Sequence, residues 1–206
     1  MSLVWSPSYS TQVSDSDAQT YIEAVETADN QALEVGTAAA INTFVIGCKD
    51  DGIWDAIKSS CILAGARTLA GALVPLKGVA PENGISGSYQ FVEADYDRKL
   101  GLQGSKASPY PLIKANRNSN DDPQDDQHAS VYVTQQGTIT GGAVPIVYAV
   151  SGSDQNLITW SNSRVITRSR GTAAFVSGSV TGLGATFLGI SRSSSSSFDS
   201  SSESYS

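Results

Sequence analysis

Residues 118–133, NSNDDPQDDQHASVYV, decide how the second half of the chain is interpreted. Within this segment, four aspartates and the only histidine, His128, fall in eight positions, and a Val-Tyr-Val run follows after two more residues. Asn and Asp hydrogen-bond their own backbone and Pro sets a bend, which predicts a turn. The alternation of residue types after the turn predicts a strand, with His128 on the outer side and Val131 and Val133 facing the core.

The aspartates of this segment offer a second interpretation, because Ca²⁺ is bound by several carboxylate and carbonyl oxygens within one flexible loop. The candidate ligands are Asp121, Asp122, Asp125 and Asp126. Their spacing departs from the usual calcium-loop pattern and a proline interrupts it, so the turn is favoured while the calcium site stays open. His128 has no accompanying nucleophile motif, which favours a polar strand residue over a general base. We assign no catalytic, cofactor-binding or metal residue.

From about residue 85 the sequence is β-type, with short runs of Val, Ile, Tyr, Phe and Thr between Gly, Asn and Ser clusters at roughly ten-residue intervals. The predicted strands are GSYQFVEADYD, ASVYVTQQ, PIVYAVS, NLITWSN, SRVITRSR, TAAFVSGSV and ATFLGISR. This spacing is typical of an antiparallel jelly-roll-like β-sandwich. The Ser-rich end, SRSSSSSFDSSSESYS, is predicted to be disordered or, because Phe198 follows Ile190 at strand spacing, to form a ragged strand or hairpin.

Before residue 66, apolar residues recur at helical spacing. Three short amphipathic helices are predicted: one after the N-capping residues of SDSD, one beginning near Gly36-Thr37, and one introduced by DDG and closed around Gly65. Their apolar positions are Tyr21, Ile22, Val25 and Ala28; Ile41, Phe44, Val45 and Cys48; and Ile53, Trp54, Ile57 and Cys61. Both cysteines are interpreted as small buried hydrophobes rather than a disulfide. The proline of the following TLAGALVPLKG is predicted to lie at a strand edge or bulge.

The predicted fold class is α+β, with a short N-terminal helical segment followed by an antiparallel jelly-roll-like β-sandwich. The helical assembly segment is predicted to span residues 1–78 and the sandwich residues 79–206. A closed two-sheet sandwich needs about one or two more strands than this sequence supplies. We therefore expect that another subunit completes the sheet edge, or that the chain is a shortened version of a longer protein.

Charge is distributed unevenly along the chain. Residues 1–51 hold eight acids against one base, whereas the remaining residues carry twelve of each sign, which gives the net charge of −7. Nothing in this balance indicates nucleic-acid binding, which requires a basic surface. The sequence has no apolar stretch of about eighteen residues, so membrane insertion is not expected.

The segment FVEADYD places Glu93, Asp95 and Asp97 at alternate positions of a predicted strand. This pattern resembles the E-x-D-x-E strand of jelly-roll glycoside hydrolases that cleave β-glucans. The resemblance implies that Glu93 attacks the sugar, Asp95 tunes its pKa and the third carboxylate donates a proton. Position 97 is Asp where Glu is expected. The favoured interpretation is a solvated strand face followed by a turn at DRKLGLQG, because three like charges are tolerated in water.

The segment SRVITRSRG places Arg164, Arg168 and Arg170 at positions of the same parity. No acid occurs between residues 155 and 198. Guanidinium groups bind carboxylates and phosphates bidentately, so these arginines form a candidate interface with an anionic glycan, a phosphate or an acidic neighbour. An ordinary exposed strand face is the alternative.

Four segments carry a resemblance that covers roughly residues 20–199. They are DNQALEVGTAAAINTFVIGCKDDGIWDAIKSSCILAGARTLAGALVPLKG, DYDRKLGLQG, NRNSNDDPQDDQHASVYVT and FLGISRSSSSSFD. Together they resemble a group of bacteriophage virion proteins that are found especially in phages of cyanobacteria and other aquatic bacteria. In that group a helical segment like residues 30–65 precedes a laminin-G-like, concanavalin-like β-sandwich. The resemblance implies a tail fibre or another exposed particle component and brings no catalytic residues.

These observations predict a non-enzymatic virion structural protein on the tail or capsid surface, which mediates assembly and host-surface contact. Its expected partners are other virion proteins, further copies of itself and a host-surface glycan. No cofactor, nucleic-acid partner or membrane insertion is expected. The alternatives are a capsid decoration or cement protein, a glycan-binding lectin module with Ca²⁺ near residues 121–126, and the β-glycan hydrolase.

Overall fold

The computed structural model describes residues 13–84, 88–104, 111–114, 123, 125–135, 143–151, 154–161, 164–171, 175–176, 185–194 and 197–204. The chain divides into two compact units, Met1–Asn118 and Ser119–Ser206. The described helices lie in the first unit and the long described strands in the second, so the class is α+β. The boundary predicted after residue 78 falls inside the first unit.

Residues after position 78 belong to the first unit because they are hydrogen-bonded to its helical part. Tyr96 Oη and Arg98 Nε both donate to the Ala66 carbonyl, at 2.8 and 3.0 Å. The Gly65 N–H in turn donates to the Arg98 carbonyl at 2.8 Å. These contacts join residues 30 to 33 positions apart. Local periodicity carries no information about contacts of that separation.

Helix α1 spans Ser16–Asp29 and is capped at both ends by its own sequence. The side chain of Asp15 accepts hydrogen bonds from two backbone N–H groups of the first turn, at 2.9 and 3.1 Å. Asn30 ends the helix in the left-handed conformation, with φ of 51°, and its N–H bonds back to carbonyls of the last turn. The predicted N-capping role of SDSD is confirmed.

Helix α2 spans Val35–Asp50, and the way it ends explains why the third predicted helix does not form. After the helix the chain turns through Gly52, with φ of 70°, and the Ile53 N–H donates to the Cys48 carbonyl at 3.0 Å. This is a helix C-terminal motif, so DDG stops α2 instead of starting a new helix. Only one 3₁₀ turn follows, Trp54–Ala56, and the prediction of a third amphipathic helix is wrong.

The remaining elements of the first unit are short: β1 (Ser60–Cys61), α3 (Leu69–Ala72), β2 (Pro75–Lys77), β3 (Glu82–Asn83), a second 3₁₀ turn (Glu93–Asp95), β4 (Tyr96–Asp97), β5 (Gly101–Leu102) and β6 (Ile113–Lys114). They form the antiparallel pairs β1–β2, β3–β6 and β4–β5. Pro75 opens β2 opposite a register shift in β1, which confirms its predicted place at a strand edge or bulge.

Helices α1 and α2 bury a common hydrophobic core. Its members are Ala18, Tyr21, Ile22, Val25, Leu33, Ile41, Val45, Cys48, Trp54, Ala66, Ala72 and Leu76. Cys48 is buried and Cys61 half-buried, both as free thiols, as predicted. Phe44 was predicted on the same face but is 51% exposed, because it lies at the edge of the stripe that α2 buries. None of the helices described here is long and apolar enough to cross a membrane.

The second unit consists of β7 (Gln127–Val133), β8 (Ala143–Ser151), β9 (Asp154–Ser161), β10 (Arg164–Gly171), β11 (Phe175–Val176), β12 (Thr186–Ser194) and β13 (Ser197–Ser204). Strands β8 to β11 form an antiparallel sheet in chain order, and β12 lies between β7 and β13 in a second antiparallel sheet. For β8 to β11 and β13 the structure describes the backbone, together with the side chain of Ile158. Strands are confirmed at ASVYVTQQ, PIVYAVS, NLITWSN, SRVITRSR and ATFLGISR. Of TAAFVSGSV only Phe175–Val176 lies within the described residues, in β11. The strand predicted at GSYQFVEADYD is wrong.

Strand β12 supplies buried side chains on one side, where it lies beside β9 and β10. Leu188 and Ile190 are 1% and 2% exposed, and Ile158 of β9 is fully buried. One edge of β12 pairs with β7, and the other edge pairs with β13 from Thr186 opposite Ser204 to Ser194 opposite Ser197. The Ser-rich end therefore forms the predicted hairpin rather than a disordered tail.

Candidate functional site

One surface of the second unit includes strand β7, which is the C-terminal part of the segment NSNDDPQDDQHASVYV. Along β7 the residues alternate between half-buried and exposed, with His128, Ser130 and Tyr132 exposed, as predicted. We use the name outer face for nine positions of β7, β12 and β13 that are paired with one another in three rows across the strands. The first row is His128, Ser191 and Asp199, the second is Ser130, Gly189 and Ser201, and the third is Tyr132, Phe187 and Glu203.

The first row is polar. His128 Nδ1 lies 2.8 Å from Ser191 Oγ, and His128 is exposed. Either the imidazole donates to the hydroxyl or it accepts from it, depending on the tautomer. Both arrangements use Nδ1 for the contact and leave Nε2 as the nitrogen that a ligand hydroxyl can reach. Asp199 occupies the register position on the other side of Ser191.

The third row is aromatic. Tyr132 is 51% exposed, and its neighbour across the strand pair is the partly exposed Phe187. Between the polar and aromatic rows lie Ser130, which is exposed, and Gly189, which has no side chain and is buried. The outer face therefore combines an aromatic end with a hydrogen-bonding end, separated by a row without bulky groups.

Ser, His and Asp in one row suggest a hydrolytic triad, but the arrangement differs from one. In a triad the imidazole lies between the carboxylate and the hydroxyl. Here Ser191 is the central member, with His128 on one side and Asp199 on the other. Strand β12 pairs on both edges, so its backbone N–H groups are used by the sheet and do not form an oxyanion hole. The row therefore offers hydrogen bonds to a ligand rather than an activated nucleophile.

The aspartates before β7 are only partly described. Asp125 Oδ1 lies 2.8 Å from Nη2 of Arg192, which is 9% exposed, so this carboxylate holds a buried guanidinium. Asp126 is exposed, while Asp121 and Asp122 lie outside the described residues. Within the described ranges, no three His, Cys, Asp or Glu side chains gather as a metal site. The calcium hypothesis stays a prediction.

The three carboxylates of FVEADYD do not share a strand face. Glu93 and Asp95 lie in a 3₁₀ turn and only Asp97 lies in a strand. Glu93 Oε2 accepts from the Leu69 N–H at 3.1 Å, and Asp95 Oδ2 accepts from the Val92 N–H at 3.0 Å. The Asp97 side chain accepts from two N–H groups of the following turn, which lowers its pKa. Each carboxylate fixes backbone, so the predicted arrangement for glycoside hydrolysis is wrong, while the predicted turn is confirmed.

The candidate arginine interface falls on β10, which contains Arg164, Arg168 and Arg170. This strand lies between β9 and β11 in its sheet. Its register with β9 is regular as far as Arg168 and shifts before Gly171. The side chains of these arginines lie outside the described part of the chain, so the interface stays a prediction.

A buried carboxylate that the sequence analysis did not identify joins α1 to α3. Asp29 is 9% exposed and accepts hydrogen bonds from the Arg67 N–H at 2.6 Å, the Thr68 N–H at 2.9 Å and Thr68 Oγ1 at 2.7 Å. Thr68 caps α3 by accepting from the Gly71 N–H at 3.2 Å. A methyl group at Gly71 would overlap the Asp29 carboxylate. This cluster joins the end of α1 to the start of α3.

A second carboxylate, Glu34, bridges two arginines near the start of α2. Its Oε2 lies 2.6 Å from Arg98 Nη2 and its Oε1 lies 3.1 Å from Arg67 Nη1. Arg67 Nε also donates to the Ala32 carbonyl at 2.9 Å. The hydrogen bond from Arg98 is the main reason why the pKa of Glu34 falls from its ordinary value of 4.5 to about 2.

Replacing Glu34 with glutamine is expected to change how stability depends on pH. A carboxylate with a lowered pKa stabilises the folded chain fully above its unfolded pKa, and this contribution is lost as pH falls from about 4.5 to about 2. Near neutral pH the melting temperature of wild type should exceed that of Glu34→Gln, because only wild type has the ion pairs of Glu34. The difference should be no more than a few degrees, because partly exposed ion pairs contribute little to stability. The two melting temperatures should converge in acid. A difference that stayed constant between about pH 6 and pH 2 would contradict this account.

A shallow depression lies between α1 and β2. Its walls are Asp17, Thr20, Tyr21, Ala24, Trp54, Val74, Pro75, Leu76 and Lys77. Lys77 Nζ lies 4.5 Å from the centre of the Trp54 ring and also donates to the Trp54 carbonyl, so the indole is held in place. With a volume of about 230 Å³, the depression is smaller than the roughly 300–1,000 Å³ of most ligand pockets. We assign it no ligand.

Comparison of the chain with protein-family models, with curated proteins and with solved structures finds no match. The resemblance to virion proteins therefore rests on the four quoted segments alone.

Proposed function

We propose that the protein acts by contact rather than by bond-making. The observation that carries this proposal is the outer face, where an exposed tyrosine and the His128–Ser191 pair stand on hydrogen-bonded strands. Aromatic side chains are enriched where proteins bind partners. The carboxylates that suggested an enzyme, Glu93 and Asp95, instead accept hydrogen bonds from backbone. A contact protein is the class that these features support best.

Within that class we propose a phage virion structural protein exposed on the particle, a tail fibre or related tail component. It mediates assembly and host-surface contact as a homo-oligomer. The four segments that resemble phage virion proteins support this step, and one of them includes β7 of the outer face. We further propose that the two sheets of the second unit belong to a jelly-roll-like sandwich. The nearness of β12 to β9 and β10, with Leu188 and Ile190 buried, supports that architecture.

The first unit supports a role in assembly. Its large exposed apolar side chains are Val35, Phe44, Ile53, Val79, Tyr89, Val92 and Leu100. Helix α2 has no charged residue before Lys49, and a methyl group added at Gly36 or Gly47 would meet open space. An uncharged helix surface with an exposed phenylalanine favours contact with other protein surfaces.

Electron cryo-microscopy of the phage particles that carry the chain tests this proposal. A tail fibre, a tail ring and a capsid decoration protein differ in symmetry and position, so density for this fold would distinguish them. Capsid decoration is the nearest alternative, and density on the capsid would replace the tail assignment with it. Absence of the chain from purified particles, measured by mass spectrometry, would refute the proposal as a whole.

The purified chain is expected to form a homo-oligomer in solution at micromolar concentration. Sedimentation equilibrium should give a mass that is a multiple of the 21.5 kDa chain. A monomer across the whole range up to about 100 μM would contradict the homo-oligomer, because structural oligomers with extensive interfaces dissociate well below that concentration.

A further inference from the structure

We propose that the outer face binds an uncharged polysaccharide, with the aromatic row and the polar row as its two contact points. This inference deepens the proposed host-surface contact and rests on it. It is argued from the spacing of the three rows, from their chemistry and from the charges around them.

The spacing of the rows fits a chain of sugar rings. Residues two positions apart on a strand lie about 6.8 Å apart, so the polar and aromatic rows are separated by roughly 13–14 Å. The row between them, Ser130, Gly189 and Ser201, contains no bulky residue. Adjacent strands lie about 4.8 Å apart, so the three paired positions of a row extend over about 10 Å. The outer face is therefore long enough and wide enough for more than one sugar ring.

The two outer rows match the two kinds of surface that a sugar presents. A pyranose ring has an apolar C–H face, which packs against exposed aromatic rings such as Tyr132 and its neighbour Phe187. Its edge carries hydroxyl groups, which both donate and accept. His128 Nε2 and the Ser191 hydroxyl can meet such groups in either tautomer, because their mutual contact uses only one imidazole nitrogen.

The residue types at the nine positions of the outer face disfavour anionic polymers. Asp199 is paired in register with Ser191, and Glu203 with Phe187, so β13 brings two acids to the ends of the outer rows. No lysine or arginine occupies any of the nine positions. Nucleic acids and sulfated or phosphorylated glycans need basic contacts that these positions do not supply. A neutral polysaccharide satisfies both the chemistry and the charge.

The test uses the full chain against immobilised dextran, yeast mannan, xyloglucan, laminarin and galactan, with heparin and poly-deoxythymidine as anionic probes, by biolayer interferometry. We expect binding to at least one neutral polysaccharide and none to the anionic probes. Tyr132→Ala should weaken binding at least about tenfold, since the exposed ring is the main stacking surface. Ser130→Glu should have a similar effect by placing a charge in the middle row. His128→Ala should weaken binding about threefold to tenfold.

The matched control is Tyr89→Ala, which removes a comparably exposed tyrosine ring, 46% against 51%, from a bend of the first unit outside α2. It should leave polysaccharide binding unchanged. Unaltered circular dichroism of Tyr132→Ala and Ser130→Glu establishes that these variants fold. No binding to any neutral probe, preference for heparin, or binding that both outer-face variants retain would each overturn the inference. A chain found in the particle but without polysaccharide binding would refute only this inference, whereas a chain absent from particles would refute the proposed function.

Discussion

Replacing Asp29 with alanine is expected to lower the free energy of unfolding by about 3–5 kcal/mol. The carboxylate is only 9% exposed and accepts three hydrogen bonds from Arg67 and Thr68, so its removal leaves three partly buried donors without this acceptor. Thr68 would also lose the partner that orients it as the cap of α3. Urea denaturation of the full chain, followed by circular dichroism, measures the change.

Two variants separate this effect from a general loss of an acid. Asp29→Asn keeps one acceptor oxygen and should cost about 1–3 kcal/mol, less than alanine. Asp50→Ala removes an exposed acid from the end of α2 and should change stability by less than about 0.5 kcal/mol. If Asp29→Ala unfolded at the same urea concentration as Asp50→Ala, the cluster would contribute nothing to the fold.

Replacing Leu188 with alanine should lower the free energy of unfolding by about 3 kcal/mol. The side chain is 1% exposed on the buried side of β12, and its deletion removes apolar burial and leaves a cavity. The central position of β12 between two strands limits how far the backbone can move to fill that cavity. Thermal and urea denaturation should both report the loss.

Leu100→Ala is the matched control for this prediction, because it deletes the same atoms from a side chain that is 43% exposed. It should cost less than about 1 kcal/mol. Equal losses for the two variants would mean that β12 does not form the core of the second unit.

The sequence predicted most of the described strands of the second unit, because a half-buried strand alternates with a period of two. That rule placed His128 outward and Val131 toward the interior without knowledge of any partner strand. Helix α1 was equally predictable, since Asp15 and Asn30 are residues that cap helices by their own chemistry. In both cases the signal lies within a few residues of the element that it specifies.

The errors arose where local patterns had more than one meaning. Asp51 and Gly52 are suited both to the end of one helix and to the start of the next. The hydrogen bond from the Ile53 N–H to the Cys48 carbonyl shows that here they end α2. Glu93 and Asp95 alternate in sequence, yet Glu93 reaches back to the Leu69 N–H, 24 residues away. A contact over that distance leaves no periodic signal.

The outer face shows the same limit for the candidate site. The sequence identified His128 and placed it on the exposed side, but the contact with Ser191 joins residues 63 positions apart. The register of β7 with β12, which creates that contact, pairs residues that are 53 to 65 positions apart in the chain. Asp29 went unnoticed for the same reason, since its partners lie 38 and 39 residues later.

The repetitive composition of β13 leaves its alignment with β12 weakly encoded. Ser202 and Ser200 lie opposite Leu188 and Ile190, and a two-residue slip that brought Ser204 and Ser202 there would present the same chemical group. The residue types that distinguish one alignment of this eight-residue strand from another are Phe198, Asp199 and Glu203. Substitutions among its serines should be tolerated, whereas changing Phe198 to serine would leave only two residues by which one alignment differs from another.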